Sequence, residues 1–555
     1  MRKNIFYICR KFTHLKLLYS LLFFSIFNFA QTGISSAEKN ALLQLHQQTN
    51  GENWSIQWDL AKEPRFWYGV KVKNGTVVEL RLNGNLLQGN LPSLSGLPNL
   101  KVLDVSSNRL QGNIAWIAGL NFLEIADFSS NEFSGTISTE FNGNKRLKEL
   151  YLGDNLWKFT NPNSFLESIK QVTRLDISNS DLIEIPSSIQ NFAQLEELKL
   201  SNNQIKTGFT NLVGLTSLKK LHLANNQLTA IPKEINQLSS LVELDLSSNQ
   251  IDNSKIPSLA NLQNLEWLSL ENNQFSTIPS EILMLKNLVH LNLGRNRISG
   301  NLSSLTQLKN LQQVWLHNNL FDGNFPNEIQ QMKNLQMLAL RSNQLTGNLP
   351  QALPEMVDVS NNRFTTANLQ DAVSSNPQIV DFRYSPQRYD EATTVKASIG
   401  GNALLKQSLP SQDGYKFSWF KNLDTNLQKQ SESLSLNNIQ EADFVYYTAE
   451  AYLEQDLGSK LFELSLFREP IFIENELAVE DIKKQLAIYP NPTKDYLNIL
   501  SKGISFNESA IYDLSGKLVL KSKSDKIDVR TLLTGAYLLV IDTEKGNLVY
   551  KWIKL

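Results

Sequence analysis

The stretch Leu241-Val-Glu-Leu244-Asp-Leu246-Ser-Ser-Asn249-Gln-Ile251 determines the fold of the long central part of this chain. Leu244 and Leu246 are two residues apart, which places both side chains on one face of a short strand. Asp245, between them, then faces the opposite side. Asn249 carries two amide donors and an acceptor oxygen, so it can satisfy backbone groups where the chain turns away from the strand.

The same frame recurs as thirteen copies between Val77 and Phe364, and its Asn position returns every 19 to 25 residues. This period is typical of leucine-rich repeats, in which each repeat adds one strand to a continuous core. The pattern predicts a leucine-rich repeat solenoid, an α/β horseshoe of about 13 repeats, followed by two small all-β sandwich domains. The repeated position is held by Asn85, Asn108, Asn131, Asn155, Ser180, Asn203, Asn226, Asn249, Asn273, Asn296, Asn319, Asn343 and Asn362.

Ser180 is the exception at this position. A hydroxyl has one proton to donate where an amide has two, so Ser180 can satisfy fewer backbone groups than Asn. We therefore predict that the fifth repeat is the least regular.

The first thirty residues have the features of a signal peptide. Basic residues from Arg2 to Lys16 precede an apolar run from Leu17 to Ala30. That run is shorter than the roughly 20 apolar residues that a membrane-spanning helix needs, so we predict cleavage near Ala30-Gln31. Cys9 is the only cysteine, and the mature chain would therefore contain no disulfide. A net charge of -1 gives no general attraction for nucleic acid, which we exclude as a partner.

Residues 31–76 are expected to cap the first repeat, because a solenoid must cover the exposed end of its core. The region combines an amphipathic helix around Ala41, Leu42 and Leu45 with a stretch that contains Trp54, Trp58 and Trp67. It resembles the N-terminal cap of plant-type leucine-rich repeat proteins. That cap normally carries a cysteine pair, whereas Val72 stands here at one of the expected positions. Packing must then replace the disulfide.

Residues 77–380 form the predicted solenoid, and residues 381–475 show alternating runs typical of strands. Trp419, followed by Leu434-Ser-Leu436 and by Tyr447 two residues before Ala449, resembles an immunoglobulin-like sandwich. In that family a cysteine stands where Ala449 stands here. Another small all-β module is the alternative. Residues 476–486 are predicted to be a linker.

The last segment, residues 487–555, carries an ordered series of motifs. They are Ala487-Ile-Tyr-Pro-Asn-Pro-Thr-Lys-Asp-Tyr-Leu-Asn-Ile499, Ile511-Tyr-Asp-Leu-Ser-Gly-Lys-Leu-Val-Leu520, Leu533-Thr-Gly-Ala-Tyr-Leu-Leu-Val540 and Tyr550-Lys-Trp-Ile-Lys-Leu555. The series resembles the type A C-terminal sorting domain of the type IX secretion system. The residues themselves predict a small β-sandwich with a hairpin turn at Asp513–Gly516 and a core that includes Val519, Tyr537, Leu539 and Val549. The resemblance implies that a translocon of the outer membrane recognises this domain, which is often removed on export.

The sequence contains no motif for catalysis. A His-Glu-x-x-His helix, a Gly-x-Ser-x-Gly elbow and a phosphate-binding glycine loop are all missing. His222, His290 and His317 fall in outward positions of repeat strands without a fixed acid and nucleophile. We therefore expect neither an enzyme nor a cofactor or metal site.

The outward strand positions are the expected source of binding specificity, since folding already explains the leucines and the asparagines. The late repeats place large aromatic residues and cations there, and adjacent strands lie about 4.8 Å apart. Aromatic residues and arginine are enriched at binding hot spots. Isolated surface aromatics are the alternative interpretation. The candidate ligand-binding residues are Trp267, His290, Arg295, Trp315, His317 and Arg341. A second, acidic zone in the early repeats contains Asp104, Asp127 and Asp176.

These features predict a secreted or cell-surface recognition protein, similar to bacterial leucine-rich repeat adhesins, that binds an extracellular protein or glycan through the concave side of the horseshoe. The type IX translocon is the second expected partner, and attachment to the outer membrane after sorting is compatible with the pattern. The alternative is a passive structural or spacer component of the cell surface or matrix.

Overall fold

The computed structural model describes residues 33–410, 413–423, 425–458, 460–475, 486–501, 505–514, 516–543 and 546–555. The predicted signal peptide with Cys9, and nearly all of the predicted linker, lie outside these residues. The chain forms two compact units. The first runs to Leu228 and includes Pro232–Asp245, and the second contains Thr229–Ile231 and Leu246–Leu555.

The first unit opens with helix α1, Ser36–Gln48, which begins at a capping box between Ser35 and Glu38. Glu38 is buried, and its carboxylate accepts hydrogen bonds from the Thr76 hydroxyl and, at 2.9 Å, from the Val77 backbone N–H. One carboxylate therefore joins the helix to the first strand of the sheet.

The three cap tryptophans are buried, and Trp58 contacts both of the others. The ring centroids of Trp54 and Trp58 lie 4.9 Å apart, and those of Trp58 and Trp67 lie 4.7 Å apart. Their indole N–H groups donate to the backbone oxygens of Thr49, Tyr68 and Asp59. Aromatic packing with satisfied polar atoms thus closes this end of the core in a cap without a cysteine.

The repeats of the first unit build a mostly parallel sheet behind an antiparallel hairpin, with one three-residue strand per repeat. Short strand pairs and single turns of 3₁₀ helix lie between the sheet strands. The hairpin and sheet strands are Val70–Lys73, Thr76–Arg81, Val102–Asp104, Ile125–Asp127, Glu149–Tyr151, Arg174–Asp176, Glu197–Lys199, Lys220–His222 and Glu243–Asp245. The short pairs are Gln88–Asn90 with Arg109–Gln111 and Ser134–Ile137 with Leu156–Phe159. The 3₁₀ turns are Gly51–Asn53, Pro64–Phe66, Ala115–Gly119, Ser187–Asn191, Phe209–Leu212 and Lys233–Gln237.

The second unit continues the pattern with six further parallel strands. They are Trp267–Ser269, His290–Asn292, Gln313–Trp315, Met337–Ala339, Met356–Asp358 and Asp381–Arg383. Behind them lie the strands Ser299–Gly300, Leu320–Asn324 and Gln344–Thr346 and the 3₁₀ turns Asn253–Lys255, Ile282–Met284, Ser303–Gln307 and Asn327–Gln331. The last parallel strand begins at Asp381, so the sheet extends three residues past the boundary predicted at residue 380.

The asparagine ladder forms as the frame predicts. Asn226 Nδ2 donates to the backbone oxygens of Leu200 and Leu223 at 3.0 and 3.1 Å, and Asn226 Oδ1 accepts from the Ile205 N–H at 2.9 Å. Each such amide joins one repeat to the preceding one, so the buried turns keep their hydrogen bonds.

Ser180 interrupts this ladder. Its hydroxyl donates to the Ser178 backbone oxygen at 3.3 Å, whereas Asn203 in the next repeat donates to three backbone oxygens. The preceding segment forms an α-helix, α2, Pro162–Ser168, where several other repeats use 3₁₀ turns. The fifth repeat therefore departs from the regular pattern, as its sequence predicts.

We expect Ser180→Asn to raise the free energy of unfolding by about 1 kcal/mol, because the amide can fill backbone acceptors that a hydroxyl cannot reach. The reverse change, Asn203→Ser, should lower it by about 1–3 kcal/mol. Urea unfolding followed by circular dichroism measures both. Effects of the same sign in the two variants would contradict the ladder as the cause.

Helix α3, Thr366–Ser375, closes the last repeats, and a middle β-domain follows. Its strands are Gln387–Tyr389, Thr393–Ala397, Ala403–Lys406, Lys416–Lys421, Thr425–Asn426, Ser433–Leu436, Tyr446–Asp456, Leu461–Arg468 and Ile471–Asn475, with a 3₁₀ turn at Glu441–Asp443. Trp419 is fully buried opposite Ala449, and the Tyr447 hydroxyl lies 3.4 Å from the Asp443 backbone oxygen. These positions agree with the predicted core tryptophan and tyrosine corner, and the immunoglobulin-like assignment stays a prediction.

The C-terminal domain consists of a three-stranded and a four-stranded antiparallel sheet. The first contains Leu486–Tyr489, Tyr496–Ser501 and Lys526–Asp528, and the second Phe506–Asp513, Leu518–Ser522, Gly535–Thr543 and Gly546–Lys554. The predicted turn is present, because the Gly516 N–H donates to the Asp513 backbone oxygen at 2.9 Å and Gly516 has a φ of +80°.

Three of the four predicted core residues of this domain, Val519, Tyr537 and Leu539, contribute to its core. The prediction for Val549 was wrong. Its side chain packs in a separate cluster with Tyr446 of the middle β-domain. Successive residues of a strand face opposite sides of the sheet. Here both sides are apolar, because the middle β-domain also covers the outer side.

Candidate functional site

The outward face of the sheet in the second unit carries the candidate residues. The register pairs Trp267 with His290 on neighbouring strands, and Asn292 with Trp315 one row further along. The ring centroids of His290 and Trp315 lie 6.5 Å apart. We call Trp267, His290 and Trp315 the aromatic strip. All three side chains are half-buried, less exposed than their outward positions alone suggest.

Small residues lie beside the large ones in this strip. Ser269 and Ala339 occupy the same outward row as Trp315, yet they are only 3% and 9% exposed. Ala339 is the direct register partner of Trp315. The large rings therefore stand next to small side chains that are themselves covered, while the rings keep part of their surface exposed.

Glu271 organises the polar side of the strip, and the sequence patterns did not single it out. Its carboxylate lies 3.3 Å from Arg295 Nε and 3.6 Å from His317 Nε2, and it accepts a hydrogen bond from Asn292 Nδ2 at 2.8 Å. The His317 imidazole, together with the other donors, holds the pKa of the Glu271 carboxyl below its usual value. Glu271 thus fixes two of the six candidate residues.

Gly294 makes this arrangement sterically possible. A Cβ built at Gly294 would lie 2.5 Å from the His317 ring, so any larger residue would force the imidazole away. A second outward row lies two residues further along each strand, and it contains Glu271, Gly294, His317 and Arg341 in succession. That second row is the sequence signal that could have identified Glu271.

Arg295 has an unusual backbone conformation for its type. The residue before the repeated Asn adopts a positive φ in successive repeats, and elsewhere in the array this position is held by Gly, Asn, Asp or Ser. Arg295 has a φ of +55°. Short polar side chains tolerate the left-handed region better than long ones do. A long cation here is therefore a departure from the frame.

Arg341 follows His317 in the second outward row and lines a cavity of about 770 Å³. Arg341 is exposed, whereas Arg388 in the same cavity wall is half-buried, with its Nη1 3.5 Å from Glu469 Oε1. Burial raises the pKa of Glu469 to about 7 and lowers that of Arg388. The other wall residues include Ser342, Asp358, Phe382, Arg383, Tyr384, Glu463 and Arg468.

The charges on the sheet of the first unit are paired with one another. One outward row of five residues alternates in sign along successive strands, so each of its three inner charges lies between two opposite charges. Arg174 lies 3.3 Å from Glu149 and 3.8 Å from Glu197, and Lys220 lies 2.7 Å from Glu243. The row reads Glu149, Arg174, Glu197, Lys220 and Glu243.

The early acidic residues have a local role. Asp104, Asp127 and Asp176 each accept a hydrogen bond from the backbone N–H of the serine two residues later, at 3.2, 2.9 and 2.9 Å. Burial raises the pKa of Asp127 and Asp176. These carboxylates stabilise the turns after their strands, so the structure gives them a purpose that needs no ligand.

Within the described residues, no group of three or more His, Cys, Asp and Glu side chains is arranged to hold a metal ion. None of the helices in that part of the chain is long and apolar enough to cross a lipid bilayer.

Family models match three parts of the chain. Residues 487–555 match a secretion system C-terminal sorting domain, residues 216–261 match two copies of leucine-rich repeats, and residues 264–285 match one further leucine-rich repeat. No curated protein matches the sequence. The sorting-domain match indicates a secreted or cell-surface protein whose C-terminal domain interacts with the secretion machinery.

Solved structures with a similar fold come from bacteria and plants. A leucine-rich repeat protein of Leptospira interrogans is 31% identical, with a TM-score of 0.47, over 54% of this chain and 76% of that chain. The Arabidopsis receptor kinase HAESA, solved in complex with a peptide hormone, is 24% identical, with a TM-score of 0.48, over 66% and 77%. The PEPR1–AtPEP1 structure is 24% identical, with a TM-score of 0.46, over 65% of this chain, which spans 56% of that chain.

Proposed function

We propose that this secreted leucine-rich repeat protein, which ends in a C-terminal sorting domain, binds an extracellular protein or glycan through the outward face of its parallel sheet. The observation that carries the proposal is the aromatic strip. Trp267, His290 and Trp315 stand on adjoining strands, and none of the three belongs to the buried core. Aromatic side chains of this kind supply much of the binding energy at protein interfaces.

The polar surroundings support the same surface. Glu271 holds Arg295 and His317 in place, so their side chains lose little conformational freedom when a ligand arrives. The repeat imposes the positive φ of Arg295, and the long cationic side chain at a position otherwise held by Gly, Asn, Asp or Ser is the unusual feature. Arg341 adds an exposed cation two repeats further on.

The contrast between the two units favours this location over the early repeats. Paired charges such as Arg174 and Glu149 already satisfy one another, and Asp127 and Asp176 cap local turns. Rings that are half-buried and lack a core role have contact surface left for a partner.

The alternative function is a passive structural or spacer component of the cell surface. A spacer needs only the leucine core and the asparagine ladder, so its outward residues would be interchangeable. Arg295 in a position otherwise held by Gly, Asn, Asp or Ser, and Glu271 and His317 in a row that holds Ser, Gly or Ala in most repeats, are departures from the repeat that a spacer does not require. The proposed role is recognition and does not include catalysis.

The test is an array of glycans and extracellular proteins probed with residues 31–555, the predicted mature chain. The matched control is the Trp267→Ala, Trp315→Ala double variant. We expect at least one array component to retain the parent chain and lose the double variant. Equal retention of both chains on every component would contradict the proposal.

A further inference from the structure

The C-terminal domain packs on the middle β-domain through one of its two outer faces. Leu538 of the four-stranded sheet lies in an apolar cluster with Tyr446 and Phe472 of the middle β-domain. Leu514, Val540 and Val549 pack against this cluster from the same side. The covered outer face of the four-stranded sheet is thus an internal interface.

Hydrogen bonds fix this docking. The buried Tyr446 hydroxyl donates to the Gly516 backbone oxygen at 3.1 Å, and Asn547 Nδ2 donates to the Phe444 backbone oxygen at 2.6 Å. The four-stranded sheet is therefore held in a defined position, and the middle β-domain covers part of its outer face.

The three-stranded sheet presents the opposite outer face. Leu497 and Ile527 are directly paired and both buried, so the alternating positions on these strands face outward. We call the outward set the Tyr496 face, and it consists of Ala487, Tyr489, Tyr496, Asn498, Leu500, Lys526 and Asp528, with Arg530 beside it. Tyr489 is 50% exposed and Leu500 is 42% exposed.

The Tyr496 face combines apolar groups with held cations. Lys526 Nζ lies 4.2 Å, and Arg530 Cζ 5.2 Å, from the centroid of the Tyr496 ring. The face and its edge carry two cations, Lys526 and Arg530, against one carboxylate, Asp528, which pairs with Arg530 at 2.6 Å, so one positive charge is in excess. A partner surface with an apolar centre and an acidic rim would complement this face.

We propose that the Tyr496 face is the surface by which the secretion machinery holds the exported chain, and that the machinery presents an acidic surface with an apolar centre to it. The family match assigns the domain to sorting. Because the four-stranded sheet is docked on the middle β-domain, the Tyr496 face is the outer face that remains for contact with the secretion machinery. The middle β-domain then serves as a platform that orients the sorting domain. This role goes beyond ligand binding by the repeats.

The chain offers a closely matched pair of variants. Leu500 on the Tyr496 face and Leu518 on the four-stranded sheet are each 42% exposed. Lys526 on the face and Lys523 outside it are both exposed. The test variant is Leu500→Ser with Lys526→Glu, and the control is Leu518→Ser with Lys523→Glu. The two variants change charge and apolar surface equally.

Both full-length chains are expressed in a bacterium that has the type IX system, and the fraction outside the cell is measured by fractionation and immunoblotting. A chain lacking residues 487–555 sets the level for lost export. We expect the test variant to fall at least tenfold, towards that level, and the control to stay near the parent. Normal export of the test variant, or an equal loss in the control, would overturn the proposal.

Folding and ligand binding are measured on the same purified variants. If the test variant has a lower melting temperature than the parent, Lys526→Glu with Arg530→Glu takes its place, since both side chains are exposed and lie outside the core. The same tenfold loss is then expected, and normal export again overturns the proposal. Retention on the array should be unchanged in every one of these variants, so a failure of this proposal is distinguishable from a failure of the proposed binding function.

Discussion

Replacing Leu198 with alanine is expected to lower the free energy of unfolding by about 2–5 kcal/mol. Leu198 is fully buried, and its register partners are Leu175 and Leu221 on the two adjacent strands. The change removes apolar contacts and leaves a cavity that the neighbouring strands can fill only in part. In a stacked array each repeat is stabilised mainly by its neighbours, so the loss affects both adjoining interfaces.

The control is Gln204→Ala, an exposed position six residues later in the same repeat. It should change the free energy of unfolding by less than about 0.5 kcal/mol. Urea unfolding followed by tryptophan fluorescence compares the variants with the parent. If Leu198→Ala unfolds at the same urea concentration as Gln204→Ala, the assignment of the core positions is incorrect.

The architecture of the repeats could be predicted from the sequence because the leucine and asparagine spacing is dictated by the strand itself. The pair Leu244 and Leu246 must share a face, and the asparagine must stand where the chain turns. The end of the sheet was harder to predict. The strand Asp381–Arg383 follows helix α3 rather than a regular repeat, so the frame gives no signal for it.

The aromatic strip could be predicted in part for the same reason. Because the repeat length is nearly constant, Trp267 and His290 occupy the same position in successive repeats and therefore lie side by side on adjacent strands. Glu271 and Gly294 were missed because their role depends on how the His317 side chain turns, and strand periodicity says nothing about rotamers.

Contacts between domains were beyond the sequence patterns. Val549 was assigned to the wrong cluster because an apolar residue on an outward position is recognisable only when its partner is known. The cavity lined by Arg341 likewise includes Arg388 and Glu469 from outside the leucine-rich frame, and no local pattern links those positions.

Removing the aromatic strip is the second change with a large expected effect. Trp315 has no core role, since Val314 and Leu316 beside it supply the buried contacts. A tryptophan at a binding hot spot contributes about 2 kcal/mol or more on truncation, which corresponds to roughly a thirtyfold loss of affinity. Arg341→Ala should also weaken ligand binding, but by a smaller factor than the tryptophan change.

The double variant Trp267→Ala, Trp315→Ala should lose more affinity than either single variant. Folding should be nearly unchanged, because neither ring belongs to the buried core. The matched control is the double change Trp116→Ala, Phe122→Ala, which removes two aromatic residues from the turns of the first unit. Its affinity should equal that of the parent.

Isothermal titration of the parent and the double variant with the ligand found on the array is the most direct measurement of the central claim, with melting temperatures recorded on the same samples. The account predicts that the double variant has the same melting temperature as the parent and binds the ligand at least about thirtyfold more weakly. A double variant that melts with the parent and binds with the same Kd would contradict the assignment of the binding site to the aromatic strip.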